Sequence, residues 1–162
     1  MQASLTASAA FDLPDEYDDE DEEALPYVEI KYVTDFSHLA EVARDERKII
    51  MLEVSASYCD YCEMLEDEFI KPMLRNDDYT ADVLIRKIDM DSYYKMSNFS
   101  GDNTTPDKFT RHLKVRVTPT ILFFDGNGNE VSPRILGINS LDLYGGYLDD
   151  ALITGLQKIR SR

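Results

Sequence analysis

The feature that most constrains this chain is the stretch Ser55-Ala56-Ser57-Tyr58-Cys59-Asp60-Tyr61-Cys62, which holds both of its cysteines, two residues apart. It follows an apolar run, Ile49-Ile50-Met51-Leu52, and opens onto Leu65, Phe69, Ile70 and Met73, which recur with helical spacing. A strand that ends in a turn and hands Cys59 to a helix N-terminus makes a specific chemical environment. The free amides and the helix dipole there favour negative charge. A thiol so placed loses its proton more easily, and the thiolate is the form that attacks a disulfide. Cys62 follows one helical turn later, within reach of the first sulfur. A loop this short restrains an unfolded chain little, and two cysteines are too few for a disulfide scaffold. The pair therefore reads as chemistry, with an inert structural disulfide as the alternative. A structural zinc site needs four ligands, and no second cysteine pair exists. His38 and His112 are remote in sequence and read as ordinary helix residues.

The 162 residues suit one domain with a substantial core. No apolar run approaches the roughly 20 residues of a membrane span. The formal charge of −15 disfavours nucleic acid and anionic membrane surfaces as partners, because both need clustered Lys and Arg. Much of that charge is local. Residues 1–27 contain no Lys or Arg, and nine acids fall between Asp12 and Glu23, leaving −6 for the remainder. We expect residues 1–26 to form an acidic disordered arm ahead of a folded domain over 27–162. The arm reads as a solubilising tail, with docking to a basic partner as the sharper alternative. Met1 to Ala10 lacks a charged start and a long apolar core, so it is not a complete signal peptide. Ala7-Ser8-Ala9 nevertheless has the small-x-small pattern of a cleavage site, as a tag scar or the end of a trimmed leader would leave.

Tyr27 to Val33 alternates and reads as a strand. Thr34 or Asp35 can cap a helix whose apolar positions are Phe36, Leu39, Ala40 and Ala43. Lys48 to Ala56 is apolar on both faces, as a central strand is, and Glu53 interrupts it. Ser57 with Asp60 makes a weak capping box for the next helix, which is expected to run to about Ile70, since Pro72 cannot continue it without a kink. Asp82 to Asp89 is a third strand, and the polar stretch Asp91 to Thr104 an inserted loop. Thr105-Pro106 starts a short helix with Phe109, His112 and Leu113 on one face. Ile121 to Phe124, the turn Asp125-Gly126-Asn127-Gly128-Asn129, and Glu130 to Leu136 form a hairpin. Ser140 can cap a last helix through Leu156. The order β-α-β-α-β-α-β-β-α gives an α/β fold with a mixed central sheet of about five strands, flanked by about four helices.

That order, with Cys-x-x-Cys after the second strand and Val117-Thr118-Pro119-Thr120 before the fourth, resembles the thioredoxin superfamily over about Val28 to Arg160. Tyr58-Cys59-Asp60-Tyr61-Cys62-Glu63-Met64-Leu65-Glu66, the late Pro72, and the run from Leu113 to Asp125 are most similar to thioredoxin-related proteins of the SoxW type, usually exported to the bacterial periplasm. The resemblance implies a thioredoxin fold and thiol:disulfide oxidoreductase chemistry. It makes Cys59 the attacking sulfur and Cys62 the resolving one. It makes Pro119 a cis-proline packed against the cysteines, with the Thr118 backbone pairing to a substrate strand. It places Glu53 where thioredoxins keep a buried acid, able to take the Cys62 proton; a solvated strand end is the plainer reading of the same residue. It matches Gly137 to a glycine that leaves room beside the proline loop. Tyr58 stands where Trp is usual, and with Tyr61 either flanks a substrate groove or covers the motif. Asp60-Tyr61 replaces the Gly-Pro of thioredoxin itself, and no clear match appears for the lysine that often pairs with the buried acid.

Asp60, Glu63, Glu66 and Asp67 oppose ionisation of Cys59, and no cation lies between the cysteines. A strong oxidant stabilises its thiolate, so this chain is expected to run as a reductase. The implied partners are an oxidised protein substrate and an upstream dithiol electron-donor protein. A monomer is implied, with no bound cofactor, no metal and no membrane insertion. The implied compartment is the periplasm, with the cytoplasm as alternative. Two competing readings stand: a non-catalytic peptide-binding module that uses the groove beside Thr118-Pro119, and a disulfide isomerase, which usually needs an added dimerisation domain.

Overall fold

The computed structural model describes residues 24–162, so most of the expected acidic arm and the Ala7-Ser8-Ala9 pattern lie outside the described residues. Strand β1 (Ile49–Ser55) is buried at every position. It pairs in parallel with β2 (Val83–Asp89) and antiparallel with β5 (Thr120–Phe124), which pairs antiparallel with β6 (Ile135–Leu136). The sheet order is β2-β1-β5-β6. Burial on both faces explains why β1 and β5 read as continuous apolar runs in sequence.

Successive side chains of a strand point to opposite faces. Ile49 and Met51 accordingly join one apolar cluster with Ile121 and Phe123, covered by Leu65, Ile70 and Met73 on one side and by Tyr144, Leu148 and Leu152 of α6 (Leu141–Arg160). Ile50, Leu52 and Val54 join the other cluster with Leu122 and Phe124, covered by Phe36, Leu39 and Ala43 of α1 (Phe36–Glu46) and by Phe109 of α5 (Pro106–His112). Asp35 caps α1 by accepting from the Ser37 and His38 amides.

The expected first strand, Tyr27 to Val33, contracts to one parallel bridge between Tyr32 and Lys87. The Val33 amide donates to the Lys87 carbonyl at 3.1 Å, and the Lys87 amide to that of Lys31 at 3.0 Å. Only Ile30 and Val33 of that segment are buried, so little holds its outer part to the sheet edge. The fifth expected strand is cut by Pro133, which has no amide to give to a ladder. It survives as a Phe124–Glu130 bridge and the two residues of β6. The expected four helices are present, and the second continues past its predicted end. It begins as α2 (Asp60–Leu65), widens into a π turn (Glu66–Ile70) and resumes as α3 (Lys71–Leu74), followed by the short α4 (Asp77–Thr80). The Lys71 amide reaches the Glu66 carbonyl, and the wide turn relieves the crowding that the Pro72 ring would otherwise impose on the preceding turn. Within the expected loop 91–104, β3 (Met96–Ser97) and β4 (Asn103–Thr104) pair as a small ribbon, fastened to the core by buried Met96.

Helix α6 crosses the sheet at a close approach. A Cβ on Gly155 would stand 2.4 Å from Ile49 Cδ1 and 2.9 Å from Ser132 Oγ. Overpacking a dense core costs about 1–3 kcal/mol. Gly155→Val is therefore expected to destabilise the fold by that amount, read as a lower urea midpoint at unchanged slope.

Candidate active site

The site is built at the C-terminal end of β1. The chain leaves the sheet at Ser55 and turns through residues 56–58, and Cys59 becomes the N-cap residue of α2. Here the structure corrects the sequence reading, which placed Ser57 at the cap. The Cys59 sulfur itself accepts the Cys62 amide at 3.2 Å, while the Ser57 amide and hydroxyl turn away toward Asp91. The two sulfurs are joined, with 2.05 Å between them and Cα atoms 5.2 Å apart. Cys59 is half-buried, and Cys62 is 1% exposed. One sulfur is thus within reach of a partner protein and the other is sealed against the sheet.

Thr118-Pro119 is the cis peptide bond of the described chain. The register that pairs Val54 with Thr120 sets the proline loop beside the same end of β1 that leads to the cysteines. Pro119 is buried and Thr118 half-buried. The Gly137 amide donates to the Pro119 carbonyl at 2.8 Å. Gly137 differs from its expected role. A Cβ there would meet nothing within 4 Å among the described residues, and its φ of +62° is what calls for glycine. The rings of Tyr58 and Tyr61 stand largely in solvent, at 98% and 62% exposure, so neither covers the disulfide.

Glu53 is fully buried. It shares the β1 face of Ile49 and Met51, beneath α2 and α6. Its two carboxyl oxygens and the Tyr144 hydroxyl are the buried side-chain oxygens without a hydrogen-bond partner among the described residues. Loss of solvent pushes the Glu53 carboxyl up, the negative charge of Glu66 adds to this, and the Lys87 cation opposes it; the result is about 8. The solvated strand-end reading of Glu53 is thereby excluded.

Two residues that sequence reasoning did not place complete this cluster. Lys87 on β2 is the register partner of Glu53, and its Nζ donates to Glu66 Oε1 at 2.6 Å, with both side chains about 15% exposed. Burial alone would lower the Lys87 pKa. The hydrogen bond and charge of Glu66 outweigh burial and raise it to about 12. Lys87 supplies the cation for which the sequence shows no clear match, and the parallel register of β1 with β2 is the signal that could have found it. In the sequence Glu66 closes the run Tyr58–Glu66 and adds negative charge near Cys59; its tie to Lys87 is not legible there. The π turn begins at this residue, which is joined to the sheet through Lys87.

A family model for a thioredoxin-like domain matches residues 36–152. The thiol:disulfide interchange protein DsbD of Shigella boydii is 30% identical over 128 residues, covering 78% of this chain and 20% of its own length. The protein of the same name from Tatumella citrea is 28% identical over 118 residues, with 72% and 18% covered. The chain thus spans about a fifth of the length of these curated relatives. Among solved structures, a thioredoxin of Malassezia sympodialis superposes with a TM-score of 0.55 at 17% identity, over 84% of this chain and 98% of that one. A poplar thioredoxin h gives 0.54 at 19% identity, over 75% and 95%. At such identities these structures speak for the fold alone. No helix among the described residues is long and apolar enough to cross a membrane. The chain belongs to the thioredoxin-like domain family, and it carries the Cys59–Cys62 disulfide at the head of α2.

Proposed function

We propose that this chain is a thiol:disulfide oxidoreductase that reduces protein disulfides. The observation that carries the reading is an accessible sulfur and a sealed sulfur, joined at the head of a helix above a buried carboxylic acid. In the reduced enzyme the Cys59 thiolate, held by the Cys62 amide and the helix N-terminus, attacks one sulfur of a substrate disulfide. A Cys59–substrate bond forms, and the first substrate sulfur leaves as a thiolate that takes a proton from water. Cys62 then gives its proton to Glu53 and attacks Cys59. The second substrate sulfur leaves, and the Cys59–Cys62 disulfide remains. Two electrons have passed to the substrate, and another dithiol protein must return them.

Glu53 suits the second step because burial gives it the basicity to accept a thiol proton near neutral pH, while Lys87 and Glu66 set where that balance falls. Pro119, with the Thr118 backbone, offers an edge for an extended substrate segment, and Tyr58 offers an exposed aromatic contact. Acids Asp60 and Glu63 in the first turn of α2 favour the protonated thiol and thus a reducing potential. The chain acts as a monomer. The likeness to exported thioredoxin-related sequences and to bacterial disulfide interchange proteins supports a periplasmic setting.

Insulin disulfide reduction tests the reading. Cys59→Ser is expected to abolish turnover, and turnover that survives would remove Cys59 from its role. Cys62→Ser is expected to stall the mixed disulfide and capture substrates through Cys59, whereas a non-catalytic binding module would yield no covalent adduct. The measured potential is expected to lie on the reducing side, and a strongly oxidising value with a Cys59 pKa below about 5 would reject the direction assigned. Product release through Cys62 is expected to accelerate as pH rises toward about 8, following ionisation of Glu53, and Glu53→Gln should remove that rise.

Glu53 also links stability to pH. Above its unfolded pKa of about 4.5 the unfolded chain has lost the proton that the folded chain keeps until about 8. The unfolded state binds fewer protons in that window, so the Glu53 contribution falls as pH rises, with a limit of about 1.4 kcal/mol per pH unit. Urea melts at pH 5 and pH 8 should show Glu53→Gln gaining on the parent at the higher pH.

A further inference from the structure

Asp91 is the first residue of the polar stretch 91–104, and it lies against the turn that delivers Cys59. The Ser57 amide donates to Asp91 Oδ1 at 3.0 Å and reaches Oδ2 at 3.3 Å, and the Ser57 hydroxyl donates to Oδ2. Three neighbouring hydrogen bonds fix the acceptor. The Met90 amide donates to the Ser55 carbonyl at 2.8 Å, the Ser92 amide to that of Asp89 at 3.0 Å, and the Asp107 amide, in the first turn of α5, to the Ser92 carbonyl at 3.2 Å. Asp91 is therefore held by β1, β2 and α5 together. The carboxylate is kept ionised by its bonds from Ser57, which lower its pKa.

The turn it grips has little else to hold it. Ser57 and Tyr58 are exposed, Tyr58 almost completely, among the described residues. Yet this turn decides whether Cys59 occupies the N-cap position, where its sulfur meets the Cys62 amide. We propose that Asp91 is a positioning residue for the disulfide exchange, clamping the Ser57 amide and hydroxyl so that the Cys59 sulfur is held at the N-terminus of α2. The inference rests on the reading of Cys59 as the attacking sulfur.

The carboxylate has two effects of opposite sign on Cys59. Its negative charge disfavours a nearby thiolate, as do Asp60 and Glu63. Its clamp favours the thiolate by keeping the sulfur on the Cys62 amide. Asp91→Asn removes the charge and keeps one acceptor oxygen, and Asp91→Ala removes both. The experiment is the pH dependence of iodoacetamide alkylation in the fully reduced full-length chain, with the modified cysteine assigned by peptide mapping. For Asp91→Asn, Cys59 should react at pH 7 at the parental rate or faster. For Asp91→Ala it should react about fivefold more slowly than in Asp91→Asn, with its pH profile displaced upward, as the loss of one neutral hydrogen bond implies. A difference between the two variants of less than twofold, or a faster Asp91→Ala, overturns the clamp. Thermal melts of both variants separate a local effect from unfolding: matched melting temperatures are expected, and slow alkylation that merely follows a lowered melting temperature overturns the proposal. If Cys62 reacts faster than Cys59 in the parent chain, it is the underlying assignment of the attacking sulfur that fails.

Discussion

Strand β1 is hydrogen-bonded along both edges and buried on both faces, and every part of the site is placed relative to it. Its apolar residues each contribute about 1.5–3 kcal/mol on burial, which is what tolerates one ionisable group in the middle. Its C-terminal end launches the turn to Cys59. Its parallel register with β2 brings Lys87 to Glu53, and its antiparallel register with β5 brings the proline loop alongside. A one-residue slip would turn Glu53 into the opposite apolar cluster and separate it from its cation.

The buried charges show how a cost to stability becomes a chemical property. A carboxyl group without solvent or a hydrogen-bond donor is poorly accommodated as an anion, and it responds by keeping its proton. Lys87 limits this response, but its closest tie is to Glu66 at 2.6 Å, so Glu53 is only partly compensated. The group is left more basic than an ordinary carboxylate, as the proton transfer proposed for it requires. The π turn belongs to the same arrangement: it accommodates Pro72 and begins at Glu66, the residue paired with Lys87.

Where the sequence was legible, the reason was a strong period or a hard steric rule. The continuous apolar runs at Ile49–Val54 and Ile121–Phe124 have room only in a covered sheet, and Thr105-Pro106 starts a helix because proline fits its first turn. Where the reading erred, a tertiary neighbour decided at Tyr27–Val33 and at Ser57, and a proline within the segment decided at Glu130–Leu136. Tyr27–Val33 has the alternation of a strand, but at the sheet edge it gains only two backbone bonds to Lys87. Glu130–Leu136 has the composition of a strand, yet Pro133 divides it. Ser57 is a good local cap, but Asp91, distant in sequence, holds both of its donors and leaves the cap position to Cys59.

The sequence by itself determined the chemistry on offer: two sulfurs one helical turn apart, a carboxyl six residues upstream in an apolar strand, and a Thr-Pro before a second such strand. These are local facts, settled by spacing and by the allowed geometry of the chain. Which sulfur is sealed, how far the carboxyl is raised, which lysine answers it, and what holds the cysteine turn were decided only by tertiary structure. Each depends on burial and on charges brought together from distant segments, and Coulomb energies and desolvation follow distance in space, not separation along the chain.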